Sequence, residues 1–156
     1  MKQFSRQRTY FYSARCLLCL KKFSVPKLSD FSFGEYLYHT KDGKIYANFS
    51  AFDELDISSF VEEKIDQNTV GRLVNEIQKN LKQKVIGKIA DRPQQEIDFE
   101  TGNYICPRCG SKLVKVNENK RLKAERLPKL SFEEFKKLDK ESKDNFIQRK
   151  LESELN

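Results

Sequence analysis

The chain has four cysteines, set in two C-x-x-C pairs, Cys16/Cys19 and Cys106/Cys109, with residues 20–105 between them. No other feature restricts the fold as much. Two thiolates at this spacing can occupy two corners of a tetrahedral metal site, and a second pair can fill the other two. If one ion takes all four, the two ends of a long segment must meet. The flanks agree with that arrangement. The strand-like "TYFYSA" precedes Cys16, and Phe23 stands four residues after Cys19. In "NYICPRCGSKLVKV", Tyr104 comes two residues before Cys106, Gly110 follows Cys109, and an alternating run comes next. Each pair therefore reads as the tip of a β-hairpin, where backbone N–H groups point at the sulfurs and stabilise their charge.

In these residues the chain resembles the zinc-ribbon class, including rubredoxin-like four-cysteine sites. The resemblance covers residues 8–25 and 101–117. It implies that Cys16, Cys19, Cys106 and Cys109 ligate one Zn2+, with iron as the other occupant of the same geometry. Two features depart from the class: the long insertion, and Leu20 standing where the second knuckle has Gly110. Other uses of the thiols stay open: a metal shared with a second chain, redox chemistry, or plain burial. A redox C-x-x-C opens a helix, which lowers its thiol pKa, whereas Gly110 and "KLVKV" read as turn and strand. Disulfides belong to oxidising compartments. A site filled by four protein thiolates is closed, so its metal is expected to be structural.

At 156 residues the chain is expected to form one domain, or one with an appendage. It has no Trp, so 12 Phe and 6 Tyr supply much of the core. No apolar run approaches the roughly 18–20 residues of a membrane span, and no membrane partner is expected. Cys16-Leu17-Leu18-Cys19-Leu20 is too short for a signal-peptide core. Residues 1–15 are basic and acid-free, as in a mitochondrial presequence, but Cys16 follows at once and reads as structural. A reducing, cytoplasmic setting is the expectation. The net charge of +7 is uneven: residues 1–27 carry bases and no acid, residues 28–68 are acidic, and residues 106–130 are basic again. Both cysteine pairs lie in basic blocks.

The insertion has its own signals. "EYLYHTKDGKIYANFSAF" predicts a hairpin with a two-residue Asp42-Gly43 turn. That register sets Tyr36 opposite Phe49 and Tyr38 opposite Ala47, with Ile45 on the same face. His39, the only histidine, falls on the other face opposite Tyr46 and is expected to be solvated or hydrogen-bonded. "FDELDISSFVEEKID" predicts a short helix around Phe52, Leu55 and Phe60, with Asp53, Glu54, Asp56, Glu62 and Glu63 as a solvated acidic face. The calcium-loop spacing is absent there. "NTVGRLVNEIQKNLKQK" predicts a helix capped by Asn68 or Thr69, with Val70, Leu73, Val74, Ile77 and Leu81 as its apolar stripe. Arg72, Lys79 and Lys82 lie opposite. An end or kink is expected near 84–90, before Asp91-Arg92-Pro93. In the tail, Ser131 and Glu134 predict a capping box for a helix with Phe132, Phe135 and Leu138. Asp139 predicts a cap for another with Phe146, Ile147 and Leu151.

The expected architecture is α+β. A discontinuous zinc ribbon of two knuckle hairpins spans 1–117, interrupted at about 20–105 by an inserted β-hairpin and helices. A linker at 118–130 and a helical tail at 131–156 follow. Phosphate-loop, dinucleotide, nucleophile-elbow and H-E-x-x-H motifs are absent from the sequence, so a non-enzymatic binding module is expected. One reading has it contact nucleic acid or a ribonucleoprotein. Arg6, Arg8, Arg15, Lys21 and Lys22 would converge with Arg108, Lys112 and Lys115, and Tyr10, Phe11, Tyr12 and Phe23 would stack on bases. The other is a protein-binding adaptor, inhibitor or immunity-type protein that uses the acidic, aromatic insertion or the tail. The oligomeric state is not legible in the sequence.

Overall fold

A computed structural model describes residues 3–29, 33–68, 75–92 and 99–155. Among these residues the protein is mixed α and β, with two small antiparallel sheets and four helices. In chain order the elements are β1 (Thr9–Cys16), β2 (Lys22–Lys27), β3 (Glu35–Thr40), β4 (Tyr46–Ser50), α1 (Leu55–Asn68), α2 (Asn75–Ile89), β5 (Phe99–Glu100), β6 (Val114–Glu125), α3 (Glu133–Lys136) and α4 (Lys140–Leu155). They form two compact units: Met1–Ser50 with Thr101–Leu130, and Ala51–Glu100 with Ser131–Asn156. Among the described residues no helix is long and apolar enough to cross a membrane.

The first unit is built on β1, which lies between β2 and β6. The β1–β2 ladder is regular from Tyr10↔Lys27 to Arg15↔Lys22. The β1–β6 ladder runs from Thr9↔Glu125 to Cys16↔Val114 and shifts register between Phe11 and Tyr12 and again between Tyr12 and Ser13. Such bulges twist and bend a strand. The buried positions of β1 change face across them: Thr9 and Phe11 are buried at one end, Ala14 and Cys16 at the other. The stretch 118–130, expected as a linker, is instead mostly strand and sheet edge. β6 is exposed along nearly its whole length. Backbone pairing with β1 holds it there, and a hydrophobicity pattern does not record that force.

Beyond β6 the chain is stitched on two sides. Ser5 N–H donates to Leu127 O (2.8 Å), and Lys129 N–H donates to Gln3 O (2.8 Å). On the other side, Asn48 N–H donates to Pro128 O and Leu130 N–H donates to Asn48 O, both at 2.9 Å. The inserted hairpin is thereby laced to the ribbon. Its register is the expected one, with Tyr36↔Phe49, Tyr38↔Ala47 and His39↔Tyr46. The turn differs. Gly43 N–H donates to Thr40 O (2.8 Å) and Thr40 N–H to Ile45 O (2.9 Å), so Lys41-Asp42 form the corner and Gly43 follows at φ +70°. The Asp42 carboxylate explains the shift, accepting from Thr40 Oγ1 (2.6 Å) and Lys44 N–H (3.0 Å). His39 is buried rather than solvated, with Nδ1 2.8 Å from Thr40 O and its ring edge-on to Tyr46.

The second unit packs α1, α2 and α4 around aliphatic side chains and also buries Phe99, Phe132 and Phe135. α1 buries Ile57, Val61 and Ile65, spaced four apart on one face. Phe52 and Leu55, expected to anchor this helix, are exposed. α2 continues unbroken to Ile89 and buries Leu81, Val85, Ile86 and Ile89, whereas Ile77 is exposed. The buried stripe is therefore the one that rotates off the expected face. Lys84 and Lys88 remain on the outer side and pair with Glu154. Thr69, Val70, Arg72, Leu73, Val74 and Pro93, and the Asn68 side chain, lie outside the described residues.

α4 buries Ile147 and Leu151, and Asp139 caps it as expected, accepting from Ser142 N–H (2.7 Å). The capping box expected at Ser131 and Glu134 is replaced by a distant acid. Asp91 accepts from Glu133 N–H (2.9 Å), Glu134 N–H (3.1 Å) and the Ser131 hydroxyl (2.6 Å). A carboxylate that satisfies two free amides outcompetes a local hydroxyl.

Candidate metal centre and basic face

The first unit brings both cysteine pairs together. All four sulfurs lie within 4.8 Å of one another. Cys16 Sγ is 3.5 Å from Cys109 Sγ, and Cys19 Sγ is 3.6 Å from Cys106 Sγ. Those distances are far beyond the ~2.05 Å of a disulfide. They approach the ~3.8 Å sulfur–sulfur edge of a tetrahedron with ~2.3 Å metal–sulfur bonds. The donor set and its spacing fit a metal ion. Cys16 and Cys106 are buried, Cys19 half-buried and Cys109 exposed.

The two knuckles repeat one backbone pattern. Cys16 N–H donates to Lys21 O (2.9 Å) and Leu20 N–H to Cys16 O (3.0 Å). In the second, Cys106 N–H donates to Ser111 O (2.9 Å) and Gly110 N–H to Cys106 O (2.9 Å). Both turns place their fifth residue in the left-handed region, Leu20 at φ 66° and Gly110 at φ 75°. A third contact anchors the second knuckle. A Cβ on Gly43 would stand 2.6 Å from Ile105 O, so the hairpin turn fits against the residue before Cys106 only because it lacks a side chain.

The electrostatics of the cluster call for a cation. The Cys19 amide, 3.4 Å from Cys16 Sγ, leads the groups that hold the Cys16 thiol down to about 6, with the Leu18 amide assisting against desolvation. Burial raises Cys106, but the Cys109 and Arg108 amides and the Cys19 and Cys109 sulfurs together outweigh it and the net shift is downward. At Cys109 the Ser111 amide favours the thiolate, yet desolvation and the neighbouring sulfurs push the thiol up to about 12. Backbone donors thus favour ionisation at all three, whereas the neighbouring sulfurs favour it at Cys16 and Cys106 and oppose it at Cys109. A divalent ion among the sulfurs removes that conflict.

The expected basic residues do not all converge. Arg15 pairs with Lys22 on β2 and with Lys115 on β6, so three cations stand abreast one residue back from Cys16. The next row on that face is Ser24, Ser13 and Asn117. Lys21, Arg108 and Lys112 are exposed on the knuckles themselves. Arg6 and Arg8 are exposed but precede β1, at the end of the strand remote from Cys16. About 25 Å of strand lies between.

The aromatics are displaced as well. Strand alternation puts Tyr10, Tyr12 and Phe23 on the face opposite Arg15. Phe11 is buried against Tyr46. Two cations that sequence reasoning assigned to a linker belong to the sheet: Arg121 lies 3.7 Å over the Tyr10 ring and Lys123 lies 4.8 Å over Phe11. The alternating run after Cys109 marks the start of this strand, and no such pattern continues past Asn117 to mark the rest.

The site is a four-cysteine cluster compatible with a zinc-ribbon-like knuckle. No protein-family model, curated protein or solved structure matches the chain.

Proposed function

We propose that the chain is a non-enzymatic binding module that contacts nucleic acid through the basic side of its knuckles, with a structural zinc clamping them. The observation that carries this reading is the row Lys22–Arg15–Lys115 across three adjacent strands. Like charges directly opposite one another on a sheet are destabilising, and neither knuckle segment, 14–23 or 105–117, contains an acid to offset them. A polyanion does so, and the neutral row Ser24, Ser13 and Asn117 behind offers hydroxyl and amide donors to the same ligand. Zinc is preferred to iron only as the usual occupant of four-thiolate structural sites. Its contribution would be to neutralise the sulfurs and join β1 to β6.

Fluorescence anisotropy with a labelled oligonucleotide tests the reading. Affinity is expected to fall steeply with salt, and the triple variant Arg15→Ala, Lys22→Ala, Lys115→Ala to lower the log–log salt slope by roughly one per cation removed. Absence of binding at low salt would dismiss it. A second reading, a protein-binding adaptor, draws on exposed Phe52 and Leu55 among Asp53, Glu54 and Asp56. Recovery of a nuclease-resistant partner that Phe52→Ser releases would favour it.

A further inference from the structure

The first knuckle bears an apolar tip that folding does not explain. Leu17, Leu18 and Leu20 are 55, 67 and 57% exposed, and Leu113, whose carbonyl accepts from Leu17 N–H at 2.8 Å, is 60% exposed. Leu20 carries a second cost. It is the only non-glycine residue at positive φ among those described. A side chain there strains the backbone, and the equivalent position of the second knuckle is Gly110. Leu20 therefore both strains its turn and holds aliphatic surface in water. A strained residue whose side chain is more than half exposed points to a contact outside the molecule.

The surroundings identify that contact. Along the chain Lys21 follows Leu20 and Lys112 precedes Leu113, the row Lys22–Arg15–Lys115 lies one residue back from Cys16, and neither knuckle segment contains an acid. A phosphate backbone is complementary to these cations, but leucines gain nothing from phosphate. They gain from the faces of bases, which nucleic acids expose where stacking is interrupted. Tyr10, Tyr12 and Phe23 lie on the other face, so they do not serve this role beside the basic row.

Resting on the nucleic-acid reading above, we propose that the leucine tip is a wedge that enters nucleic acid at unstacked bases while the knuckle cations hold the flanking phosphates. Aliphatic wedges act this way when they open a base step. The ligand class is then a strand or duplex with a bulge, mismatch or single-stranded junction, in preference to a perfect duplex.

The test uses the full chain and the double variant Leu18→Ser, Leu20→Gly. Its glycine suits the left-handed turn, so fold and metal content are retained, as melting and metal analysis check. Wild type is expected to bind a two-base-bulged duplex more tightly than a paired duplex of equal length and charge, and to change the fluorescence of 2-aminopurine placed beside the bulge. The variant is expected to lose about tenfold on the bulged duplex, with an unchanged salt slope because every cation remains. Equal binding by variant and wild type would overturn the wedge and leave the nucleic-acid reading standing. Binding of phosphatidylserine vesicles by wild type but not by the variant, with nucleic-acid affinity equal in both, would overturn it in favour of a lipid surface. Failure of wild type to bind any oligonucleotide would overturn both.

Discussion

Gly43 joins the hairpin turn to the metal knuckle. Its φ of +70° disfavours any side chain, and a Cβ would press to 2.6 Å from Ile105 O, a backbone atom that cannot swing aside. Gly43→Ala is expected to cost at least about 2 kcal/mol, read as a lowered denaturation midpoint with metal bound. Two tyrosines behave in opposite ways. The Tyr104 hydroxyl donates to Pro26 O at 2.6 Å, so Tyr104→Phe should cost about 1 kcal/mol. The Tyr46 hydroxyl is buried without a protein hydrogen bond, so Tyr46→Phe should leave stability unchanged or raise it. Both groups also make the fold alkali-sensitive. Desolvation pushes each up to about 12, helped by Tyr104 at Tyr46 and by Glu118 at Tyr104. A raised folded-state pKa stabilises fully below the unfolded value near 10 and loses that effect as pH rises toward 12. Melting temperature should therefore fall between those values, and less steeply in Tyr104→Phe.

At the level of elements, local signals were legible and non-local ones were not. The register of β3 and β4 followed from the alternating aromatics on either side of the turn, although the corner itself is Lys41-Asp42 rather than Asp42-Gly43. The Asp139 cap of α4 was readable as well. β6 was legible only at its start, in the alternating run after Cys109; beyond Asn117 the register shifts and the strand is held by a partner far away in the chain. In α2, Leu81 is buried as expected but Ile77 on the same expected stripe is exposed, and Val85, Ile86 and Ile89 complete the buried face. Asp91 is the sharpest case. It caps α3 from across the second unit, so only the folded chain brings them together. Asp91→Ala should cost about 1–2 kcal/mol and raise amide exchange at Glu133 and Glu134, while Ser131→Ala should cost less because both backbone bonds survive it.

At the level of the molecule, the placement of the cysteines predicts how the two units would respond if a metal held by them were removed. The four sulfurs belong to the first unit, where they join β1 to the strand that follows Cys109. The second unit contains no cysteine, and its buried residues are the aliphatic side chains of α1, α2 and α4 together with Phe99, Phe132 and Phe135. Metal-binding free energy is folding free energy for the part that contains the ligands. Removing one ligand should therefore act unequally. Cys106→Ser, or a strong chelator on the native chain, is expected to release the metal and cost several kcal/mol within the first unit. Amide protection at Cys16, Leu17, Leu20, Cys106 and Gly110, the donors of the two knuckles, should collapse. Helical ellipticity, carried by the second unit's α1, α2 and α4, should fall much less. Hydrogen exchange and circular dichroism on one sample distinguish the outcomes. Stoichiometric metal and unchanged knuckle protection in Cys106→Ser would mean that the sulfurs do not share an ion, whatever their spacing.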